Sequence, residues 1–120
     1  MTVLPYRQLI GRRGEDLAVR ELERRGHRIL ARRYRTRFGE IDIVSEVDGL
    51  VVFVEVKARG DYNTAAEAIR PAQQARIRNA AAAFLARRPD LAGFDLRFDA
   101  VLVSPRRLPV HLRDAWRDST

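Results

Sequence analysis

The sequence predicts an α/β domain, a mixed central β-sheet flanked by helices, and three observations carry that expectation. Two β-rich runs, GEIDIVSE and LVVFVEVKAR, meet around Asp48-Gly49, and Asp-Gly between such runs is the strongest short-range hairpin signal. Helical patterns stand on either side of the hairpin, one over residues 11–25 and one from Pro71 to about Arg88, an order that builds layered α/β folds. A last β-rich run, FDLRFDAVLV, follows the second helix and is expected as the final strand. The 120 residues leave no room for a second core, so residues 1–120 are read as a single domain. About 105–120, SPRRLPVHLRDAW and beyond, reads as a Pro- and Arg-rich tail.

Each element has its own signature. GRRGEDLAVRELERR is closed by Gly26, a residue free to take the left-handed conformation that ends helices. On a helical wheel Arg12, Arg13, Asp16, Arg20, Glu23 and Arg24 fill one arc, and Gly11, Ala18, Val19 and Leu22 fill another. Glu15 falls inside the second arc, so an acid lies on the face that should meet the core. HRILARRYRT reads as an edge strand, followed by a turn over 37–39. With a two-residue turn at Asp48 and Gly49, Val47 pairs with Leu50, Val44 faces Phe53, Asp42 faces Glu55, and Glu40 faces Lys57. Opposed residues have Cβ atoms about 4.5–5.5 Å apart, so Asp42 and Glu55 form a carboxylate pair with Lys57 diagonal to Asp42. The opposite face is expected to carry Ile41, Ile43, Val52, Val54 and Val56. After a loop over 60–63, TAAEAI can form one helical turn, and Pro71 suits the first position of the next helix. Ile77, Ala80, Ala81, Phe84 and Leu85 form its apolar stripe, with Gln73 one turn upstream and aimed at the sheet.

Composition excludes several classes of function. At 46% hydrophobic and 32% charged the chain is neither disordered nor low-complexity. No apolar run reaches the ~18 residues that span a bilayer and no secretory leader is legible, so a cytoplasmic protein without a membrane partner is expected. Without cysteine there is no disulfide, thiolate zinc site or cysteine nucleophile, and His27 and His111 are too far apart for a zincin motif. Any metal must be held mainly by oxygen. A net charge of +7 suggests a polyanionic partner, nucleic acid first, though it also suits a surface that is merely soluble. Lys57 is the one lysine among 23 basic residues, and its compact ammonium can lose a proton where a guanidinium cannot.

Facing carboxylates in a sheet repel, and burial raises that cost unless a cation lies between them. A divalent ion such as Mg²⁺ takes one or two carboxylates plus phosphate oxygens, and the Val56 carbonyl could add a ligand. Lys57 could orient or help deprotonate an attacking water, and Glu15 could support the site. The residues alone leave a second reading equally open, a structural cluster in which the acids are paired by some of the many arginines.

The order of Glu15 in GRRGEDLA, GEIDIV at 39–44, FVEVKAR at 53–59 and RFDAVLV at 97–103 resembles the YraN-type family of small bacterial proteins, over about Tyr6 to Trp116. That family is similar in fold to Holliday junction resolvases and falls in the wider PD-(D/E)XK nuclease-like group. The resemblance implies a restriction-endonuclease-like fold, with Asp42, Glu55 and Lys57 as the core motif and Glu15 as the helical acid. It further implies a Mg²⁺- or Mn²⁺-dependent endonuclease acting on DNA, on branched or other non-standard structures. Gln73 departs from the lysine often expected there, yet it can still donate a hydrogen bond to bound nucleic acid. Arg59, on the face of Glu55 and Lys57, is a candidate for a flanking phosphate. Cutting two strands would favour a homodimer. The alternatives are a non-catalytic nucleic-acid-binding module on this scaffold and a protein-interaction adaptor. His27 and His111 are read as surface or partly buried residues without a role, and Trp116 as an anchor for the tail. Arg12, Arg13, Arg32, Arg33 and Arg35 either line a DNA groove or form a solvated face.

Overall fold

The structure is a computed structural model that describes residues 6–58, 69–104 and 107–116, with side chains of the first helix from Arg12 onward. In chain order the elements are α1 (Tyr6–Arg24), β1 (Arg28–Thr36), β2 (Gly39–Val47), β3 (Leu50–Ala58), α2 (Pro71–Ala86), a short 3-10 turn (Pro89–Leu91), β4 (Asp95–Ser104) and β5 (Arg107–Trp116). The five strands form one sheet in the order β1-β2-β3-β4-β5. Only β3 and β4 run parallel, because the stretch holding α2 intervenes and lets the chain return to the same end. The expected α/β architecture with a mixed sheet and two helices is therefore observed, and it is compatible with a restriction-endonuclease-like fold.

The hairpin register follows from its turn. Asp48 and Gly49 both have positive φ, +49° and +76°, the pair of left-handed conformations that matches the twist of two adjoining strands. Val47 pairs with Leu50, Val44 with Phe53 and Ile43 with Val54, as expected. Helix α1 begins earlier than the sequence pattern indicated, at Tyr6, and ends at Arg24. Beyond it Gly26 sits at φ +89°, and the His27 amide donates back to the Leu22 carbonyl at 3.0 Å, so the helix ends in a Schellman motif.

One helix covers each face. On the α1 side Ala18 and Leu22 meet Ile43, Val52, Val54, Val101 and Val103. On the α2 side Ile77, Ala80, Ala81 and Phe84 meet Val44, Val51, Phe53, Ala100 and Leu102. Phe53, fully buried, makes edge contact with Phe84 at 6.1 Å and lies 5.6 Å from Phe98. Burial of such a ring contributes roughly 2–3 kcal/mol.

Three expectations need correction. Ile41 packs on the α2 side with Val44 and Phe53, not with Ile43, so the strict two-residue alternation of β2 breaks between Ile41 and Val44. Arg107–Trp116 is no tail but the edge strand β5, antiparallel to β4. Its Pro109 is tolerated because an edge strand has a row of amides that need no partner, and Val110, Leu112 and Trp116 pack on the α2-side core. Trp116 stacks on Phe98 at 5.1 Å, so it anchors this segment as expected. His27 is buried rather than at the surface or partly buried, while His111 is partly buried as expected, with its side chain covered. The loop over 60–63, most of TAAEAI and Arg59 lie outside the described residues; Ile69, which ends that stretch, is buried in the α2-side core.

Candidate active site

Helix α1 reaches the sheet through Gly14. A Cβ at this position would stand 2.6 Å from Val103 Cγ2, closer than carbon atoms approach, so any larger residue would lift the helix off β4. The next residue, Glu15, is thereby carried to the sheet and is only 6% exposed. The acid on the apolar arc of the helix is thus delivered inward.

Regular pairing of β2 with β3 runs as far as Ile43 and Val54. One residue further the side chain takes over from the backbone, and Asp42 Oδ2 accepts the Val56 amide at 2.8 Å. The Asp42 amide in turn favours the charged form of Glu55, so acids and amides are exchanged across the gap between the strands. Glu55 lies on the α2 side, where Gln73 Nε2 donates to its Oε2 at 3.0 Å. The sequence placed Gln73 on the face of α2 that meets the sheet, and that contact is present. Lys57, two residues along the same strand, is close enough for its charge to favour both carboxylates.

Burial, first, pushes the carboxyl of Asp42 above its ordinary range, with the charge of Glu15 adding to the rise. Burial, again first, and then the charge of Asp42 push Glu55 up as well. These acids are under-compensated, and Glu55 Oε1 is buried without a hydrogen-bond partner among the described residues. An unpartnered carboxylate oxygen beside a second strained carboxylate suits a hard divalent cation, which supplies the missing charge and takes oxygen ligands. Asp42 and Glu55 therefore fit as protein ligands for Mg²⁺ or Mn²⁺. Among the described residues, however, no three acidic or histidine side chains converge into one cation site.

The reason is visible at Glu15. Arg33 Nε donates to Glu15 Oε2 at 3.0 Å, and Arg32 Nε donates to Glu15 Oε1 at 3.3 Å. Arg32 also reaches Asp16 at 2.6 Å. Arg33 stands between Arg32 and Tyr34, which pair with Ile43 and Ile41, so its place is opposite Asp42. Its φ is +50°, a left-handed conformation that costs a non-glycine residue roughly 1–2 kcal/mol. Local backbone strain in β1 and the broken alternation in β2 therefore coincide beside Asp42. Among the described residues the arginine-rich reading of these acids thus applies to Glu15, and not to Asp42 or Glu55.

A second buried cluster, to which the sequence reading gave no role, occupies the α1 side of the sheet. Asp99 is fully buried and accepts bonds from Arg97 Nε and Nη2 at 2.8 Å each, from His111 Nε2 at 2.7 Å and from the Asp114 amide at 2.9 Å. Burial would raise its pKa, but the bonds from His111 and Arg97 outweigh it and hold the carboxyl at about 2. His27 packs edge-on to His111 at 5.8 Å and bonds Ser45 Oγ at 2.9 Å. An aspartate inside the apolar run RFDAVLV was the available signal.

The fold and site define an α/β protein with a two-carboxylate and lysine cluster at the end of a parallel-antiparallel sheet junction. The chain belongs to the uncharacterised protein family UPF0102, whose family model matches residues 14–103. It is similar to a UPF0102 protein of Rhodopseudomonas palustris, 54% identical over 106 residues that cover 88% of this chain and 82% of the relative. A UPF0102 protein of Parvibaculum lavamentivorans is 53% identical over 108 residues, covering 90% of this chain and 81% of the relative. One of Bradyrhizobium diazoefficiens is 52% identical over 106 residues, with 88% and 80% covered. Among the described residues no helix is long and apolar enough to cross a membrane.

Proposed function

We propose that this protein is a Mg²⁺- or Mn²⁺-dependent endonuclease-like protein acting on DNA, with branched or otherwise non-standard structures as its substrate class. The observation that carries the reading is the under-compensated pair of Asp42 and Glu55 beside the sole lysine, Lys57. The resemblance of the motifs around Glu15, Asp42, Glu55 and Lys57 to the YraN-type, PD-(D/E)XK nuclease-like group points the same way.

In this reading Asp42 and Glu55 would hold the divalent ion, with the Val56 carbonyl near enough in sequence to contribute. Such an ion would stabilise charge developing on the phosphate and lower the pKa of a water. Lys57 orients the attacking water and can take its proton or steady the negative charge on the phosphoryl group. Gln73 holds Glu55 in place through its amide, a job a lysine would do with charge. The basic surface supplies electrostatic affinity for the phosphate backbone. Cutting on two strands would call for two copies of the chain.

A second reading, a non-catalytic nucleic-acid-binding module, is favoured by one observation: Glu15 is engaged by Arg32 and Arg33 and does not join the acid pair. Labelled duplex, single-stranded, flapped and four-way DNA, incubated with the protein in EDTA, Mg²⁺ or Mn²⁺, separates the two. Metal-dependent cleavage that is lost in Lys57→Arg, which keeps the charge but not the acid-base chemistry, supports the nuclease. Salt-sensitive binding with no cleavage of any substrate supports the module instead.

A further inference from the structure

We infer that Arg32 and Arg33 gate the Glu15 carboxylate: a nucleic-acid phosphate draws the two guanidinium groups onto itself, and Glu15 is released to join Asp42 and Glu55 around one divalent ion. The inference rests on the metal-dependent reading above and adds an order of events to it, because the third carboxylate becomes available only when the strand is bound.

The geometry has the parts such a gate requires. Glu15 is inside, with 8% of its side chain exposed, while the side chains of Arg32 and Arg33 are 41% and 44% exposed. The acid therefore faces the sheet and the cations face solvent. Among the described residues the bonds of Arg33 run through Nε alone, and its Nη edge is left for a phosphate oxygen, which guanidinium groups bind in pairs. Glu15 bonds Arg33, whose place on β1 is opposite Asp42, and its charge is felt by Asp42, so the two acids are neighbours across that guanidinium. Arg33 holds Glu15 from a left-handed backbone position, φ +50°. A phosphate competes well for both arginines because it can use donors that Glu15 leaves unused.

Mn²⁺ binding, followed by the loss of the free-ion electron paramagnetic resonance signal, tests this without reference to cleavage. The wild type, Arg33→Asn, Glu15→Gln and the double variant are titrated alone, with duplex DNA, and with a duplex of neutral methylphosphonate backbone, the binding of Mn²⁺ to each DNA being subtracted. Asparagine takes the left-handed conformation readily, so Arg33→Asn is expected to keep the fold, which urea unfolding verifies. The expected result is about tenfold tighter Mn²⁺ binding by the wild type with charged duplex and none with the neutral one, a change of about 1.4 kcal/mol. Arg33→Asn should show the gain without DNA. Glu15→Gln and the double variant should show no gain under any condition, which distinguishes release of a ligand from mere removal of positive charge. A gain that persists in the double variant overturns the gate, as does a wild type whose affinity ignores DNA. If the wild type binds Mn²⁺ through Asp42 and Glu55 yet Arg33→Asn changes nothing, only the gate falls. If no protein binds Mn²⁺ with or without DNA, the metal-dependent reading falls with it.

Discussion

Asp99 and Glu55 are both buried carboxylates on neighbouring, parallel strands, 0% and 5% exposed, yet their surroundings are opposite. Asp99 collects four hydrogen bonds, from Arg97, His111 and the Asp114 amide, and its pKa falls to about 2. Glu55 has the Gln73 amide and the backbone of Asp42 on its side, but also an oxygen with no partner among the described residues and a second acid alongside, and its pKa rises. A carboxylate kept for structure is saturated with donors, because an unpaired buried charge is costly. One left short of donors costs the free protein stability, and that cost is understandable where a ligand is to supply the charge. The two lie on opposite faces of the sheet, but burial is common to both, and it is the inventory of donors around each that sets their charges apart.

The largest expected effect is at the saturated site. Asp99→Asn removes the charge opposite Arg97 and sets an NH2 donor against the donors of Arg97, His111 or the Asp114 amide, and should destabilise by about 3 kcal/mol or more in urea unfolding. A loss under 1 kcal/mol would mean that the donors hold their places without the charge, and the contrast between the sites would lose one side.

Next, pH should pull the two sites in opposite directions. The lowered pKa of Asp99, and of Glu21 held at about 2 by bonds from Arg24 and Arg25, gives stability that is present above about pH 4. It is lost as pH falls through the folded pKa, on the order of 2 kcal/mol for each such group. The raised pKa of Asp42 and Glu55 gives stability that is full below about pH 4 and lost as pH rises through their folded values, about 1.4 kcal/mol per unit of rise. Unfolding in EDTA across this range should show a maximum with two falling limbs. Glu55→Gln should flatten only the alkaline limb, and an unchanged alkaline limb would place the strain elsewhere.

Gly14→Ala comes third, since its Cβ would meet Val103 Cγ2 at 2.6 Å. Shifting α1 should cost roughly 1–3 kcal/mol, and it moves Glu15 away from the acid pair, so Mn²⁺ affinity in the presence of DNA should fall as well. Loss of stability with unchanged affinity would detach Glu15 from the site.

The smallest effect carries the sharpest sign. Asp42→Asn should stabilise the metal-free protein by on the order of 1 kcal/mol, because it relieves repulsion. An ion at ten times its dissociation constant should add ~1.4 kcal/mol to the wild type and much less to the variant. A destabilised variant in EDTA, with no metal effect on the wild type, would make the acid pair structural like Asp99.

The candidate site was largely legible because it depends on local rules. The Asp48-Gly49 turn sets the hairpin register as far as Ile43 and Val54; just beyond it Asp42 meets the Val56 amide, and Lys57 follows two residues after Glu55 on the same strand. Helical periodicity put Glu15 inward and aimed Gln73 at the sheet. The edge strand β5 was illegible because Pro109 and the arginines around it carry loop chemistry, and only pairing with β4 makes them a strand. Periodicity likewise assigned Ile41 to the wrong face, since it assumes an unbroken pleat.

What the sequence by itself determined is therefore the α/β layering, the hairpin with its register, the turn at Gly26 and the inward acid of α1, all set by contacts between residues close along the chain or by strict periods of two and 3.6. Only the tertiary structure decided which cations meet which acids. With 23 basic residues and 16 acidic ones, the sequence permits many pairings, and the choice is made by the approach of β1 to α1 and of β5 to β4. That choice gives Glu15 to Arg32 and Arg33 and gives Asp99 to Arg97 and His111. Among the described residues it gives Asp42 and Glu55 no arginine, because a charge pair depends on distances set by whole elements packing together, and no local period encodes those distances.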